Sequence, residues 1–345
     1  MSLFLCDYAE GAHPAIMKRM EQTNFEQTYG YGNDPHCEKA KNYIKDLCKA
    51  PDASVYFLVG GTQTNMTVIA AALRPHQGVI SPDTGHINVH ESGAIEHTGH
   101  KVLVCPTPDS KLTGDMVREI GREDINNHTR THTVQPKMVY ISVPTEQGMM
   151  YSKADLEDLR AACDEYGYYL YADGARLGYG MMSEGADITL ADMAALTDVF
   201  YIGGTKVGAL FGEAVVITNP SIAEDFSYIV KQNGGLLAKG RLLGIQFETL
   251  FEDNLYFEIS RHAIDMAMRI KNAFKKASCS FLIDSPTNQQ FPLLTDKEYS
   301  AFEGRCELWG DAADGFKAVR FCTSWATKEE DVAALEEEIA RVCVR

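Results

Sequence analysis

The sequence predicts an α/β protein: a large domain built on a mainly parallel sheet, followed by a smaller C-terminal α/β domain. Three observations carry this. Strand-like apolar runs alternate with amphipathic helical stretches through the middle of the chain, the pattern of a sheet covered by helices on both faces. After Asn233-Gly234-Gly235 the pattern changes to a long helical tract. Asp173 and Lys206 each stand where an apolar run ends, one αβ unit apart, as residues delivered to one edge of such a sheet would.

In chain order, residues 1–40 are expected to cross between the domains, 41–235 to form the large domain and 236–345 the small one. Strands are expected at Ser54 to Val59, Val102 to Cys105, Met138 to Val143, Tyr168 to Ala172, Val199 to Ile202 and Ala214 to Thr218, with a short apolar run at Val79-Ile80. Ser152-Lys153-Ala154-Asp155 reads as a capping-box start, and Leu156, Leu159, Ala162 and Cys163 then recur at helical spacing until Gly167. The C-terminal part reads as a helical tract from Leu236 to Ala277, short strands at Phe281-Leu282-Ile283 and Val319-Arg320-Phe321-Cys322, and a last helix from Lys328 to Val344.

With 345 residues, 45% hydrophobic and 23% charged, the chain can bury a core without staples. A net charge of -16 disfavours nucleic acid and anionic membranes as partners, so an anionic ligand would need local donors. Nine cysteines, an odd number with no CxxC pair, argue against a disulfide framework or a zinc site. No stretch approaches a membrane span, and the N-terminus has no basic region or cleavage site of a secretory signal, so a cytoplasmic location is expected.

An aspartate and a lysine at the ends of neighbouring buried strands suit pyridoxal 5'-phosphate. The lysine can form a Schiff base with the aldehyde, and the aspartate can keep the pyridine nitrogen protonated. The small and apolar flanks of Lys206 imply a desolvated amine, whose pKa falls. Gly60-Gly61-Thr62-Gln63-Thr64-Asn65 follows a strand and opens a helix, where free N–H groups and a threonine hydroxyl would hold a phosphate. His86 stands in a loop where an imidazole can lie against the ring or, equally, in solvent. The surrounding His90, Glu91, His97 and His100 match no common zinc spacing, so no metal is expected. Arg176 and Arg320 sit beside small or apolar residues, and each needs an anion, either a ligand's or that of an internal carboxylate.

Gly-Gly-Thr-Gln-Thr-Asn at 60–65, His-Ile-Asn-Val-His-Glu-Ser-Gly at 86–93, Tyr-Ala-Asp-Gly-Ala-Arg-Leu-Gly at 171–178 and Gly-Gly-Thr-Lys at 203–206 resemble, in this order, the threonine aldolases of the aromatic amino acid β-eliminating lyase group. These are fold-type I pyridoxal phosphate enzymes. The resemblance implies that Lys206 carries the cofactor, Asp173 pairs with its ring nitrogen, Gly61, Thr62 and Gln63 bind its phosphate, and His86 stacks on the ring. It also implies that Arg176 and Arg320 meet the substrate carboxylate and that His132 lies near the substrate hydroxyl. Asp7 belongs to the substrate site in the same way, and Tyr31, in Tyr29-Gly30-Tyr31-Gly32-Asn33-Asp34, lies at a subunit interface near the substrate of a homodimer or homotetramer.

The chain departs from the family pattern at Cys6, where a serine is usual, and at Thr205. It also lacks the arginine of a Gly-Gly-Gly-Met-Arg-Gln segment, for which Lys239 or Arg241 could substitute. The implied reaction cleaves threonine or allo-threonine to glycine and an aldehyde, with His86 or His132 as base. The alternative is a β-eliminating lyase or a transaminase on the same scaffold.

Overall fold

A computed structural model describes residues 3–343. Seven strands form the large sheet: β1 (Ser54–Leu58), β2 (Gln77–Pro82), β3 (Lys101–Cys105), β4 (Gln135–Ser142), β5 (Tyr169–Asp173), β6 (Val199–Gly203) and β7 (Glu213–Ile217). Their order is β1-β7-β6-β5-β4-β2-β3. β2 to β6 pair in parallel, whereas β7 is antiparallel to both its neighbours, β6 and β1. Every expected strand is present to within a few residues at either end, and the run at Val79-Ile80 is a strand of its own.

The inner strands β5, β6 and β7 are mainly apolar because both faces are covered. Side chains alternate across the sheet: on β4, Val139 and Ile141 enter the core on one side, and Met138 and Tyr140 the core on the other. This alignment brings the C-terminal ends of β1, β4, β5 and β6 to one edge, where β7 begins at Glu213, opposite Gly203 and Leu58. Open α/β sheets bind ligands at this edge.

The helix Lys153–Tyr166 starts with the Ser152/Asp155 capping box and stops at Gly167 with φ 66°, as the sequence predicts. The predicted tract from Leu236 to Ala277 is two helices, Arg241–Glu252 and Leu255–Lys276, because Asn254 adopts φ 60° between them. Phe247, Leu250, Tyr256 and Ile264 of this region belong to the core of the large sheet, whereas Ile270 and Phe274 belong to that of the small domain. On this packing we infer that the small domain begins inside the second helix, near Met266, and not at residue 236.

The small domain carries an antiparallel sheet in the order β10-β11-β9-β8, with β8 (Phe281–Ile283), β9 (Gln289–Leu294), β10 (Glu307–Asp311) and β11 (Lys317–Cys322). β9 and β10 were not expected from the sequence. The last helix is Glu329–Val342; Val344, where it was expected to end, lies outside the described residues. Phe4 lies in the small core, donates its N–H to Arg305 O at 2.7 Å and accepts from Cys322 N–H at 2.9 Å, so the N-terminal segment is anchored there before it enters the large domain.

Candidate active site

A cavity of about 310 Å³ opens at the C-terminal edge of the large sheet. Gly60 to Thr62 reach it after β1, Glu213 at the start of β7, Lys206 after β6, Asp173 and Arg176 from the end of β5, Ser142 and Glu146 from the end of β4, His86 after β2 and Tyr8 from the N-terminal segment. The turns after β5 and β6 approach very closely. A Cβ on Gly174 would stand 1.9 Å from Tyr201 O and one on Gly203 2.2 Å from Ala175 O, so only glycine lets Asp173 and Lys206 share one cavity.

Asp173 is the last residue of β5 and is buried. Oδ1 accepts from Tyr201 OH and, at 3.0 Å, from Ala175 N–H; Oδ2 accepts from Tyr140 OH at 2.7 Å and Asn65 Nδ2 at 3.2 Å. Four donors satisfy both oxygens of this buried carboxyl group. Lys206 is half-buried, its Nζ 6.0 Å from the centre of the Tyr8 ring. Burial, then the Arg176 cation, lowers its pKa, against the opposing charges of Asp7, Asp173 and Glu213. Glu213 accepts Gly204 N–H at 3.0 Å, and burial pushes its carboxyl well up.

His86 Nδ1 lies 2.7 Å from Oε1 of the buried Glu91, which also accepts from Asn65 Nδ2 at 2.6 Å. Burial alone would lower the imidazole pKa; the Glu91 hydrogen bond and the charges of Asp173 and Glu91 outweigh it and hold it above the usual value. Arg176 donates to Asp7 through Nε at 2.7 Å and Nη2 at 3.1 Å.

The family model for beta-eliminating lyases matches residues 4–297. The chain belongs to the beta-eliminating lyase family. It is 30% identical over 345 residues, 98% of this chain and 97% of the other, to a low specificity L-threonine aldolase of Pseudomonas aeruginosa. Its fold matches a solved Leishmania major threonine aldolase with a TM-score of 0.96, 43% identity and full coverage of both chains. An aspartate aminotransferase of Thermus thermophilus shares the fold alone, at a TM-score of 0.70 and 17% identity over 99% of this chain and 92% of that one.

Within this lyase, Lys206, Asp173, Gly61, Thr62, His86 and Arg176 converge on one cavity. Other sequence-derived site residues do not line it. The Gln63 side chain is turned away, accepting Val59 N–H at 3.1 Å and donating to Asn233 O at 2.8 Å, which leaves only its backbone N–H for an anion. Asp7 is fully buried, its carboxylate taken up by Arg176 and by Asn288 Nδ2, the latter at 2.9 Å. Arg320 is ion-paired with Glu307, donates to Gln289 Oε1 at 2.8 Å and Leu5 O at 3.2 Å, and lies 5.1 Å from the centre of the Trp309 ring; its buried Nε has no hydrogen-bond partner among the described residues. His132 closes a short 3-10 turn ahead of β4, exposed and at the opposite end of that strand from Ser142. Eight strand residues separate it from the cavity edge, about 26 Å. The chain therefore does not bring His132 to its own cavity. Tyr31 is exposed, beneath the Lys231 ammonium at 4.9 Å. Arg241 is committed to Glu26 O at 2.6 Å and Asn24 O at 3.1 Å.

Sequence reasoning missed Glu146, Glu213, Glu91, Asn65 and the tyrosines on Asp173. A signal for Glu146 was available: Val143-Pro144-Thr145-Glu146 places a carboxylate in the turn that directly follows a buried strand.

Proposed function

We propose that the chain is a pyridoxal-phosphate-dependent aldolase that cleaves a β-hydroxy-α-amino acid, threonine or allo-threonine, to glycine and an aldehyde. The observation that carries this reading is the convergence of a desolvated lysine, a four-fold hydrogen-bonded aspartate and an anchored arginine beside a glycine turn. The threonine aldolase relatives support it over other chemistries of the family.

The donor set fits the cofactor. Gly61 and Thr62 open the helix Gly61–Ala72, whose first N–H groups have no partner within the helix and suit a phosphate. Lys206 suits an aldehyde and Asp173 a protonated ring nitrogen. Bound there, pyridoxal phosphate supplies an electron-withdrawing ring that accepts the electron pair released at Cα. The chain's own residues do the rest. Lowered basicity makes Lys206 available as a neutral nucleophile. Asp173, with its charge stabilised by Tyr140, Tyr201, Asn65 and Ala175 N–H, holds a facing cation in its protonated state. Arg176, fixed through Nε and Nη2, offers its remaining N–H groups to the substrate carboxylate and so sets which bond at Cα is aligned for cleavage. His86, its Nδ1 held by Glu91, keeps a fixed ring orientation facing the site.

The test is product analysis after incubation with L-threonine and L-allo-threonine plus pyridoxal phosphate. The expected result is aldehyde and glycine in equal amounts. Release of a keto acid with ammonia would establish β-elimination instead, and turnover only with an added keto acid would establish transamination.

We also infer that copies of the chain associate at least as a dimer, with Tyr31 serving a neighbour. Phe25, Tyr29 and Tyr228 are 93%, 83% and 71% exposed, large aromatic side chains that a partner subunit would cover. Sedimentation of an active monomer would refute this.

A further inference from the structure

Cleavage of a β-hydroxy amino acid needs a group that takes the hydroxyl proton, and the structure narrows the candidates. His132 lies at the far end of β4. Asp173 already accepts four hydrogen bonds. Glu213 is tied to Gly204 N–H on the far side of Lys206, between the lysine and the glycine turn. His86 has Nδ1 committed to Glu91, and its raised pKa makes it a cation over more of the physiological range, hence a poorer acceptor.

Glu146 remains. It follows β4, between the strand that carries Asp173 and the strand that precedes His86, and lines the same cavity as Lys206. Its Oε1 accepts Ser142 Oγ–H at 2.6 Å and His86 N–H at 2.9 Å, so the carboxyl has a fixed direction. Gln289 Nε2 donates to its carbonyl at 3.3 Å from β9, which ties this turn to the small domain. No cation is paired with the carboxylate among the described residues.

We propose that Glu146 is the base that removes the β-hydroxyl proton of the substrate, an assignment that rests on the aldolase reading above. The proton passes to the Glu146 carboxylate, the O–H pair becomes the carbonyl bond of the aldehyde, and the Cα–Cβ pair stays with Cα. The count closes when Cα takes up one proton and Glu146 returns its own to water after the aldehyde has left. The surroundings give the carboxylate the strength for this. Burial raises its pKa and the Asp173 charge adds to the rise, against the Ser142 hydrogen bond and the His86 N–H. The other titratable groups that feel its charge are Tyr140 from β4, Tyr151 from the following loop and Arg176 from the turn after β5.

The experiment compares holoenzyme and its Glu146→Gln and Glu146→Asp variants in two reactions. One is threonine cleavage. The other is exchange of the glycine α-proton with deuterated water, which uses the cofactor, Lys206 and Arg176 but involves no hydroxyl. In Glu146→Gln, cleavage is expected to fall about 100-fold or more, and the acid limb of the kcat/KM profile to vanish. Glycine exchange and the cofactor affinity, titrated by absorbance, should stay within about threefold, and Glu146→Asp should recover part of the loss. Equal loss of both reactions, or undiminished cleavage, overturns the assignment. A wild-type enzyme that exchanges glycine but cleaves no β-hydroxy amino acid removes the aldolase reading itself, and the assignment with it.

Discussion

Asp7→Asn is the most informative single change. Asp7 is fully buried, and although burial raises its pKa, the charges of Arg176 and Lys206 and the hydrogen bonds from Arg176 and Asn288 outweigh this and hold it at about 2 against an ordinary 3.8. That difference corresponds to roughly 2 kcal/mol of stability near neutral pH. The sign is that of a depressed carboxyl: the contribution is fully present above the ordinary value and is lost as pH falls through the folded one. Asparagine is isosteric but neutral, and it leaves a withdrawn guanidinium without its counter-charge, which costs about 3–5 kcal/mol when a buried pair is broken. The two figures describe the same interaction, so about 3 kcal/mol is expected. The assay is denaturant unfolding of wild type and variant at pH 7 and pH 3, beside steady-state kinetics. The stability difference should shrink at the lower pH, and KM for threonine should rise because Arg176 is no longer held. A difference below about 0.5 kcal/mol at pH 7 with unchanged KM would refute the view that Asp7 positions Arg176.

Lys206→Ala should abolish both covalent attachment of the cofactor and turnover; borohydride reduction followed by peptide mapping checks this, and a label on another lysine would contradict it. Asp173→Asn should retain cofactor but lose turnover by orders of magnitude, since an amide cannot hold the ring nitrogen protonated; near-normal kcat would make the residue structural. Arg320→Ala should lower stability while leaving KM within about threefold, because the guanidinium is taken up by Glu307, Gln289 Oε1 and Leu5 O and does not line the cavity; a rise in KM of about tenfold with unchanged stability would instead make it a substrate ligand.

The core of the site was legible because its residues stand where apolar runs stop. The strand ends at Asp173 and Gly203 are marked by the sequence itself, and parallel pairing then puts them side by side. Arg320 was harder to judge because its partner Glu307 lies on β10, whose Glu307-Leu308-Trp309-Gly310-Asp311 does not read as a strand. β9 was hidden for a related reason: it opens with Gln289 and Gln290, whose burial is supported by long-range and local bonds, among them Gln290 Nε2 to Thr287 O at 2.7 Å and Arg320 to Gln289 Oε1. That His132 lies away from its own chain's cavity could have been read from direction alone, since it precedes β4 and the cavity lies beyond the strand's other end. Glu213 could not have been found by the same rule, because β7 runs against its neighbours and delivers its first residue, not its last.

The N-terminal segment has a mechanical consequence. Phe4 is hydrogen-bonded into the small sheet and Asp7 is paired with Arg176 of the large domain, with only Leu5 and Cys6 between them. Three residue steps reach at most about 11 Å when fully extended. The segment therefore acts as a short leash: the small domain cannot swing away by more than a few ångströms without releasing either Phe4 or the arginine.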